Sequence, residues 1–212
     1  MFDNGPLLVS RAVSEAKKLV IGVLGSGKGS NFAAIADAIE NESLNAEVGI
    51  VLSDVEDSGI LQRAATHGCP HQFIDPGKFR TKLDDEAEAA YTRAMREANV
   101  DMIVLAGFMR ILKGGFLREF PNRVLNIHRS LLPSFPGLAA WKQALEYGVK
   151  VTGCTVHIVD QGIDTGPILG QQAVSIVSGD TAESLHTRIQ EQEHRLAVEI
   201  LKRISADEIR IG

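Results

Sequence analysis

An asparagine and a histidine lie two residues apart at the end of an apolar run. The run is Val124-Leu-Asn-Ile-His128, and as a β-strand it would place Asn126 and His128 on the same face. Ligands of open α/β sheets bind at the carboxyl ends of the strands. A side-chain amide beside an imidazole can stabilise a developing oxyanion, whereas a histidine alone could equally be a core residue. The pair therefore predicts a site that stabilises an oxyanion intermediate.

A carboxylate follows in a loop that is broken by glycines. Asp164 lies in Asp160-Gln-Gly-Ile-Asp-Thr-Gly-Pro167, between two segments that alternate like strands. Aspartate in such a loop readily forms a turn through its own side chain, so from the residues alone a structural role competes with a catalytic one. A serine hydrolase triad is not indicated, because the sequence contains no Gly-x-Ser-x-Gly elbow.

A glycine-rich loop precedes the first helical pattern. Its segment Gly22-Val-Leu-Gly-Ser-Gly27-Lys28 approaches the P-loop motif, but Gly29 stands where a hydroxyl residue should hold Mg²⁺. The dinucleotide fingerprint also lacks its third glycine. The backbone N–H groups of Gly29, Ser30 and Asn31 would still lie at a helix N-terminus, which suits an anion. We therefore expect a phosphate site, with a turn that binds nothing as the alternative.

Alternating strand and helix patterns must position these residues. The predicted strands are 18–24, 46–53, 72–74, 102–106, 124–128, 152–159 and 168–177. The predicted helices are 32–40 with Ser30 or Asn31 as N-cap, 59–66, 84–99, a helical face at Trp141 and Leu145, and 182–204. Short connections between such elements predict an α/β fold, a doubly wound and mostly parallel, Rossmann-like sheet with flanking helices. We expect one domain over residues 18–212, after a flexible extension over residues 1–17.

Composition narrows the function classes. The chain has 212 residues, a net charge of −5 and two cysteines. The charge does not suit a general nucleic-acid binder, and so few cysteines suit a reducing compartment. Neither a signal peptide nor an apolar run of transmembrane length is evident. We expect a cytoplasmic protein with small-molecule partners, no nucleic-acid partner and no membrane association, as a monomer or a homodimer.

Four motifs, taken in order, resemble the folate-dependent formyltransferases. They are Leu105-Ala-Gly-Phe-Met-Arg-Ile-Leu112, Leu125-Asn-Ile-His-Arg-Ser-Leu-Leu-Pro133, Gly153-Cys-Thr-Val-His157 and Asp164-Thr-Gly-Pro-Ile168. Two more, Gly27-Lys-Gly-Ser-Asn31 and Gln190-Glu-Gln-Glu-His194, are similar to the branch that formylates glycinamide ribonucleotide in purine synthesis. The resemblance extends over about residues 18–205, nearly the whole chain.

The resemblance implies formyl transfer from the co-substrate 10-formyltetrahydrofolate to the amine of 5′-phosphoribosylglycinamide, without a metal. It implies these roles: Asn126, His128 and Asp164 as the catalytic trio; Gly29, Ser30 and Asn31 as the phosphate loop; Gln190 and Glu193 as ribonucleotide-binding residues; Met109, Arg110, Ile111 and Leu112, with Asn126, as the folate pocket. Two positions depart from the branch, which usually has proline where Arg129 stands and often has histidine where Ala139 stands.

Other functions remain open at this point. Within the family the alternatives are a formyltetrahydrofolate hydrolase and another folate-dependent formyltransferase, although we expect neither the regulatory domain of the hydrolases nor the additional domain of the tRNA enzymes. Outside enzymes, the alternative is a folate or phosphate binding module.

Four other residues are assigned to structural roles. His67, Cys69 and His71 alternate, but a metal site needs a further ligand that the sequence does not place, so we predict a turn. His157 could support the site or lie in the core, and we favour the core.

Overall fold

The computed structural model describes residues 17–112 and 114–210. Its strands are β1 (Leu19–Leu24), β2 (Ala46–Ser53), β3 (His71–Phe73), β4 (Met102–Leu105), β5 (Val124–His128), β6 (Val151–Ile158) and β7 (Ile168–Ser175). Its helices are α1 (Ser30–Glu40), α2 (Gly59–Thr66), α3 (Asp85–Glu97), α4 (Gly114–Glu119), α5 (Ala140–Tyr147) and α6 (Ala182–Ser205).

One sheet in the order β3-β2-β1-β4-β5-β6-β7 organises the fold. Strands β1 to β5 pair in parallel, while β6 pairs antiparallel with both β5 and β7. Both faces of the sheet are covered, because one buried cluster contains residues of α1, α2 and α6 and a second contains residues of α3 and α4. The predicted doubly wound, mostly parallel sheet with flanking helices is confirmed.

The start of α1 differs from the prediction. Its N-cap is Gly29, with φ 73° and no side-chain cap, so Ser30 and Asn31 lie in the first turn. A Cβ atom at Gly29 would lie 2.7 Å from the Cα atom of Ile60, which leaves room for glycine alone in this left-handed conformation. As a result, the side chains of Ser30 and Asn31 are available to another element.

Other boundaries move by one or two residues, as is usual at element ends. Asp84 is the N-cap of α3, where its carboxylate accepts a hydrogen bond from the Ala87 amide, and the short helix α4 was not predicted. Residues 1–16 of the predicted extension lie outside the described residues, while Lys17 donates to Asp101 at 2.9 Å. Within the described ranges, no helix combines the length and apolar character needed to cross a membrane.

Candidate active site

The end of β5 places two of the predicted catalytic residues. Asn126 pairs with Leu105 of β4 on one side and with His157 of β6 on the other, and His128 is the last residue of the strand. This is the point where the sheet changes from parallel to antiparallel pairing, at the carboxyl edge that binds ligands in open α/β sheets.

Both ring nitrogens of His128 face acceptor oxygens. Nε2 lies 2.9 Å from the carbonyl oxygen of Phe135, and Nδ1 lies 3.3 Å from Oδ2 of Asp164. A carbonyl oxygen can only accept, so Nε2 carries a proton. When the ring is protonated, Nδ1–H also points at the carboxylate, so the cation is held between two acceptors.

The loop that supplies the Phe135 carbonyl is attached to β6. Thr155 Oγ1 donates to the Ser130 carbonyl at 2.6 Å and accepts from the Leu132 amide at 3.1 Å. Gln171 of β7 donates to the Leu132 carbonyl at 2.9 Å. These bonds fix the segment after His128 and therefore the imidazole environment.

Asp164 turns its carboxylate toward β5 from a left-handed backbone conformation, with φ 55°. Oδ1 accepts from Asn126 Nδ2 at 3.4 Å, and Oδ2 accepts from the Gly137 amide at 2.8 Å. Burial alone would raise the pKa of Asp164, but the adjacent His157 ring, the hydrogen bond from the Gly137 amide and the charges of His128 and His157 outweigh it, so the pKa lies below its usual value. The structure therefore brings Asn126, His128 and Asp164 together.

His157 joins this group, although the sequence favoured a core position. The ring is buried, and its Nε2 lies 3.2 Å from Asn126 Nδ2 and 3.6 Å from Asp164 Oδ1. Because Nδ1 lies 2.9 Å from the Ile158 carbonyl and donates to it, the neutral ring accepts from Asn126 and the protonated ring can donate to Asp164. Antiparallel pairing of the predicted strand 152–159 with β5 would have indicated this contact. We call Asn126, His128, His157 and Asp164 the reaction cluster.

The predicted phosphate loop meets the terminal helix. Gln190 of α6 donates to Ser30 Oγ at 2.6 Å, and Asn31 Nδ2 donates to Glu193 Oε2 at 3.2 Å. The first N–H groups of α1 have no side-chain cap, which leaves them suited to an anion. Four of the predicted substrate-binding side chains thus lie together, on two helices that are distant in sequence.

Arg129, which the motif alone did not explain, joins these side chains. Its Nε donates to Glu193 Oε1 at 2.8 Å, and the Glu193 side chain is 0% exposed. Burial, the largest influence, raises the pKa of Glu193, and Arg129 and Asn31 only partly offset it. We call Ser30, Asn31, Arg129, Gln190 and Glu193 the seam. Ala139 is the N-cap of α5 with φ 53°, and its methyl group brings no polar atom to the site.

The predicted folate-binding strip divides into two kinds of side chain. Met109 and Ile111 are exposed, whereas Leu112 is buried against the α4 side of the sheet. Arg110 turns inward, with Nε 2.6 Å from Asp54 Oδ2 and Nη1 2.6 Å from the Phe79 carbonyl. Only Met109 and Ile111 therefore offer open apolar side chains, and a part for Arg110 or Leu112 in binding would have to use their backbone.

A separate group of potential metal ligands lies on α1 and at the end of α2. Ligand atoms of Asp37, Glu40 and His67 lie within 4.8 Å of one another. His67 Nδ1 is 2.6 Å from Glu40 Oε1, so an ordinary surface hydrogen bond accounts for the position of this imidazole. The arrangement agrees with the structural role expected for the His67 segment.

Comparison with known proteins identifies the family. The model of the Formyl transferase family matches residues 18–201, most of the chain. This chain belongs to the formyl transferase family. Over 93% of its length it is 42% identical to the structure of glycinamide ribonucleotide transformylase 1 from Symbiobacterium toebii, with a TM-score of 0.88 and 92% of that chain covered.

Two sequence relatives differ in length. The chain is 37% identical to the phosphoribosylglycinamide formyltransferase of Bacillus subtilis, over 86% of its own length and 92% of the relative. It is 39% identical to the trifunctional purine biosynthetic protein adenosine-3 of Gallus gallus over 93% of its own length, but it spans only 20% of that relative. It therefore matches one part of the trifunctional protein.

Proposed function

We propose that this protein transfers the formyl group of 10-formyltetrahydrofolate to the amine of 5′-phosphoribosylglycinamide. The observation that carries the proposal is the adjacency of the reaction cluster and the seam: His128 ends β5, and the next residue bonds Glu193 of α6. Groups that can stabilise an oxyanion therefore lie one residue from groups that border a helix terminus suited to a phosphate.

In this mechanism the substrate amine attacks the formyl carbon, and the formyl oxygen becomes an oxyanion. Asn126 donates an amide N–H to it, and protonated His128 stabilises its negative charge. The carbon–N10 bond of the folate then breaks, which restores the carbonyl as the formamide of the product. The nitrogen that attacked loses one proton, and the departing N10 gains one.

Asp164 orients the imidazole and assists the proton transfer. Its lowered pKa keeps it ionised near neutral pH, so its negative charge faces the His128 ring at 3.3 Å and it can accept a proton through water from the attacking amine. The Gly137 amide fixes its orientation. We propose Asn126, His128 and Asp164 as the catalytic residues on this basis.

The two substrates would approach from different sides. The N–H groups at Gly29, Ser30 and Asn31 would receive the phosphate, with Gln190 holding Ser30 in place. The exposed side chains of Met109 and Ile111, with Leu138 and Ile163 on the loops around Asp164, offer apolar surface to the folate rings. Met109 to Leu112 and Asn126 are proposed to line that pocket.

An absorbance assay of folate deformylation, with and without phosphoribosylglycinamide, tests the proposal. We expect tetrahydrofolate to appear only when the ribonucleotide is present. Turnover without it would favour a formyltetrahydrofolate hydrolase. Saturable folate binding with no turnover in either case would favour a binding module. Either of these two results would overturn the proposal.

A further inference from the structure

Glu193 has no open path to a substrate. Its side chain is 0% exposed, and each carboxylate oxygen has a protein donor, Arg129 Nε on Oε1 and Asn31 Nδ2 on Oε2. A carboxylate that is enclosed in this way is satisfied by the protein itself. The residue expected to hold the ribonucleotide therefore stands behind another side chain.

That side chain is Arg129. Its side chain is 23% exposed, and among the residues that the structure describes only its Nε atom has a protein acceptor. Arginine carries further N–H donors in a planar fork that matches the oxygens of a phosphate. The two Nη groups thus remain available to an anionic ligand.

The surroundings fix the guanidinium in place. Its Cζ lies 5.6 Å from the centre of the Trp141 ring, within the range of a cation–π contact, and His186 of α6 packs on the same tryptophan at 4.7 Å. Because the Glu193 carboxylate binds Arg129 on one oxygen and Asn31 on the other, it links the guanidinium to the first turn of α1. One carboxylate thus separates the guanidinium from Asn31, in the helix terminus proposed to bind the phosphate.

We propose that Arg129 is the specificity-determining residue for the phosphate of the amine substrate, and that Glu193 is the positioning residue that holds its guanidinium. The Nη groups would bind phosphate oxygens beside the N–H groups of α1, while Glu193 and Trp141 prevent the long side chain from turning away. Asn31 in turn holds Glu193. This inference deepens the proposed function and rests on it for the identity of the substrate.

The ratio of kcat/KM for phosphoribosylglycinamide to kcat/KM for its unphosphorylated riboside measures the contact directly. For Arg129→Ala we expect this ratio to fall about tenfold to a hundredfold, because a charge-assisted hydrogen bond to the phosphate is lost. The KM for the folate should stay within about twofold, because the guanidinium lies on the ribonucleotide side. Arg129→Lys should recover part of the ratio, because it restores the charge but not the fork.

Two controls separate recognition from folding. Arg195→Ala removes an exposed arginine from α6, the helix that carries Glu193, and should leave the ratio unchanged. If Arg129→Ala fails to fold because Glu193 is left without its cation, Arg129→Ala combined with Glu193→Gln removes both charges, and its ratio should fall as far. A purely structural Arg129 would slow both substrates equally and leave the ratio at the wild-type value, which would overturn the inference.

Binding of ribose 5-phosphate by calorimetry distinguishes this inference from the proposed function. We expect the wild-type protein to bind it and Arg129→Ala to bind it about tenfold or more weakly. A wild-type protein that makes no formyl product but shows this difference would refute the proposed function alone. An active wild-type protein whose affinity for ribose 5-phosphate is unaffected by Arg129→Ala would refute the inference alone.

Discussion

The reaction cluster and the seam each pair a carboxylate with a cationic or protonatable group, yet the two carboxylates are shifted in opposite directions. Asp164 is 12% exposed and its pKa is lowered, because three polar neighbours outweigh its burial. Glu193 is 0% exposed and its pKa is raised, because burial outweighs Arg129 and Asn31. The first carboxylate is open enough for the proton transfer proposed for it, while the second is enclosed and binds a guanidinium.

The largest effect should come from the reaction cluster. His128→Ala and Asp164→Asn should each lower kcat on the order of 10²- to 10⁴-fold, because they remove the charge that faces the oxyanion or the group that orients it. Steady-state kinetics at saturating substrates measure this loss, and the KM for the ribonucleotide should change far less. Near-normal turnover in either variant would remove that residue from the mechanism.

Variants of the seam should lose stability unequally. Arg129→Ala should lower the free energy of unfolding by about 3 kcal/mol, because it leaves a buried carboxylate without its cation. Glu193→Gln should cost less, since the freed guanidinium is partly exposed and can be hydrated. Urea unfolding at neutral pH compares the two, and equal losses would contradict the view that Glu193 is the enclosed partner.

The opposite pKa shifts predict opposite pH dependences of stability. The lowered pKa of Asp164 gives stability that is present above its usual pKa and lost as pH falls through the lowered value. The raised pKa of Glu193 favours the folded state at low pH, and this stability is lost as pH rises through the raised value.

Unfolding free energies of the wild type, Asp164→Asn and Glu193→Gln, measured from about pH 3 to about pH 8, resolve the two slopes. The advantage of the wild type over Asp164→Asn should grow with pH, and its advantage over Glu193→Gln should shrink. Slopes of the same sign would refute the contrast between the two carboxylates.

The smallest effect should come from the start of α6, outside both clusters. Thr181 caps this helix and forms reciprocal hydrogen bonds with Ser184, so Thr181→Ala should lower the free energy of unfolding by about 1 kcal/mol. Kinetic constants should not change, because Gln190 and Glu193 lie more than two turns further along. A rise in the KM for the ribonucleotide would mean that the seam depends on helix stability rather than on its own contacts.

Local patterns were enough to predict much of the sheet, because buried parallel strands appear as apolar runs between turn residues. The strand 124–128 and the shared face of Asn126 and His128 are such local features. The contact of His157 with Asn126 depends instead on the antiparallel register of β6, which joins residues that are 31 positions apart. Asp164 was open between a turn and a catalytic role until the motif resemblance favoured the latter.

The seam was harder to predict, because its bonds join residues up to 162 positions apart. One signal was present: Glu193 lies four residues after Ile189 and three before Leu196, and both flanking residues are buried. A carboxylate at that helical spacing is on the apolar face and therefore requires a buried partner. Arg129, which departs from the usual proline, was the unexplained cation, but sequence spacing could not connect the two.

Transfer of a ¹³C-labelled formyl group, followed by NMR, tests the central claim most directly. With labelled 10-formyltetrahydrofolate and phosphoribosylglycinamide, the account predicts that the label moves to the amine of the ribonucleotide in the wild type and stays on the folate in His128→Ala. Release of the label as formate, with or without the ribonucleotide, would contradict the account.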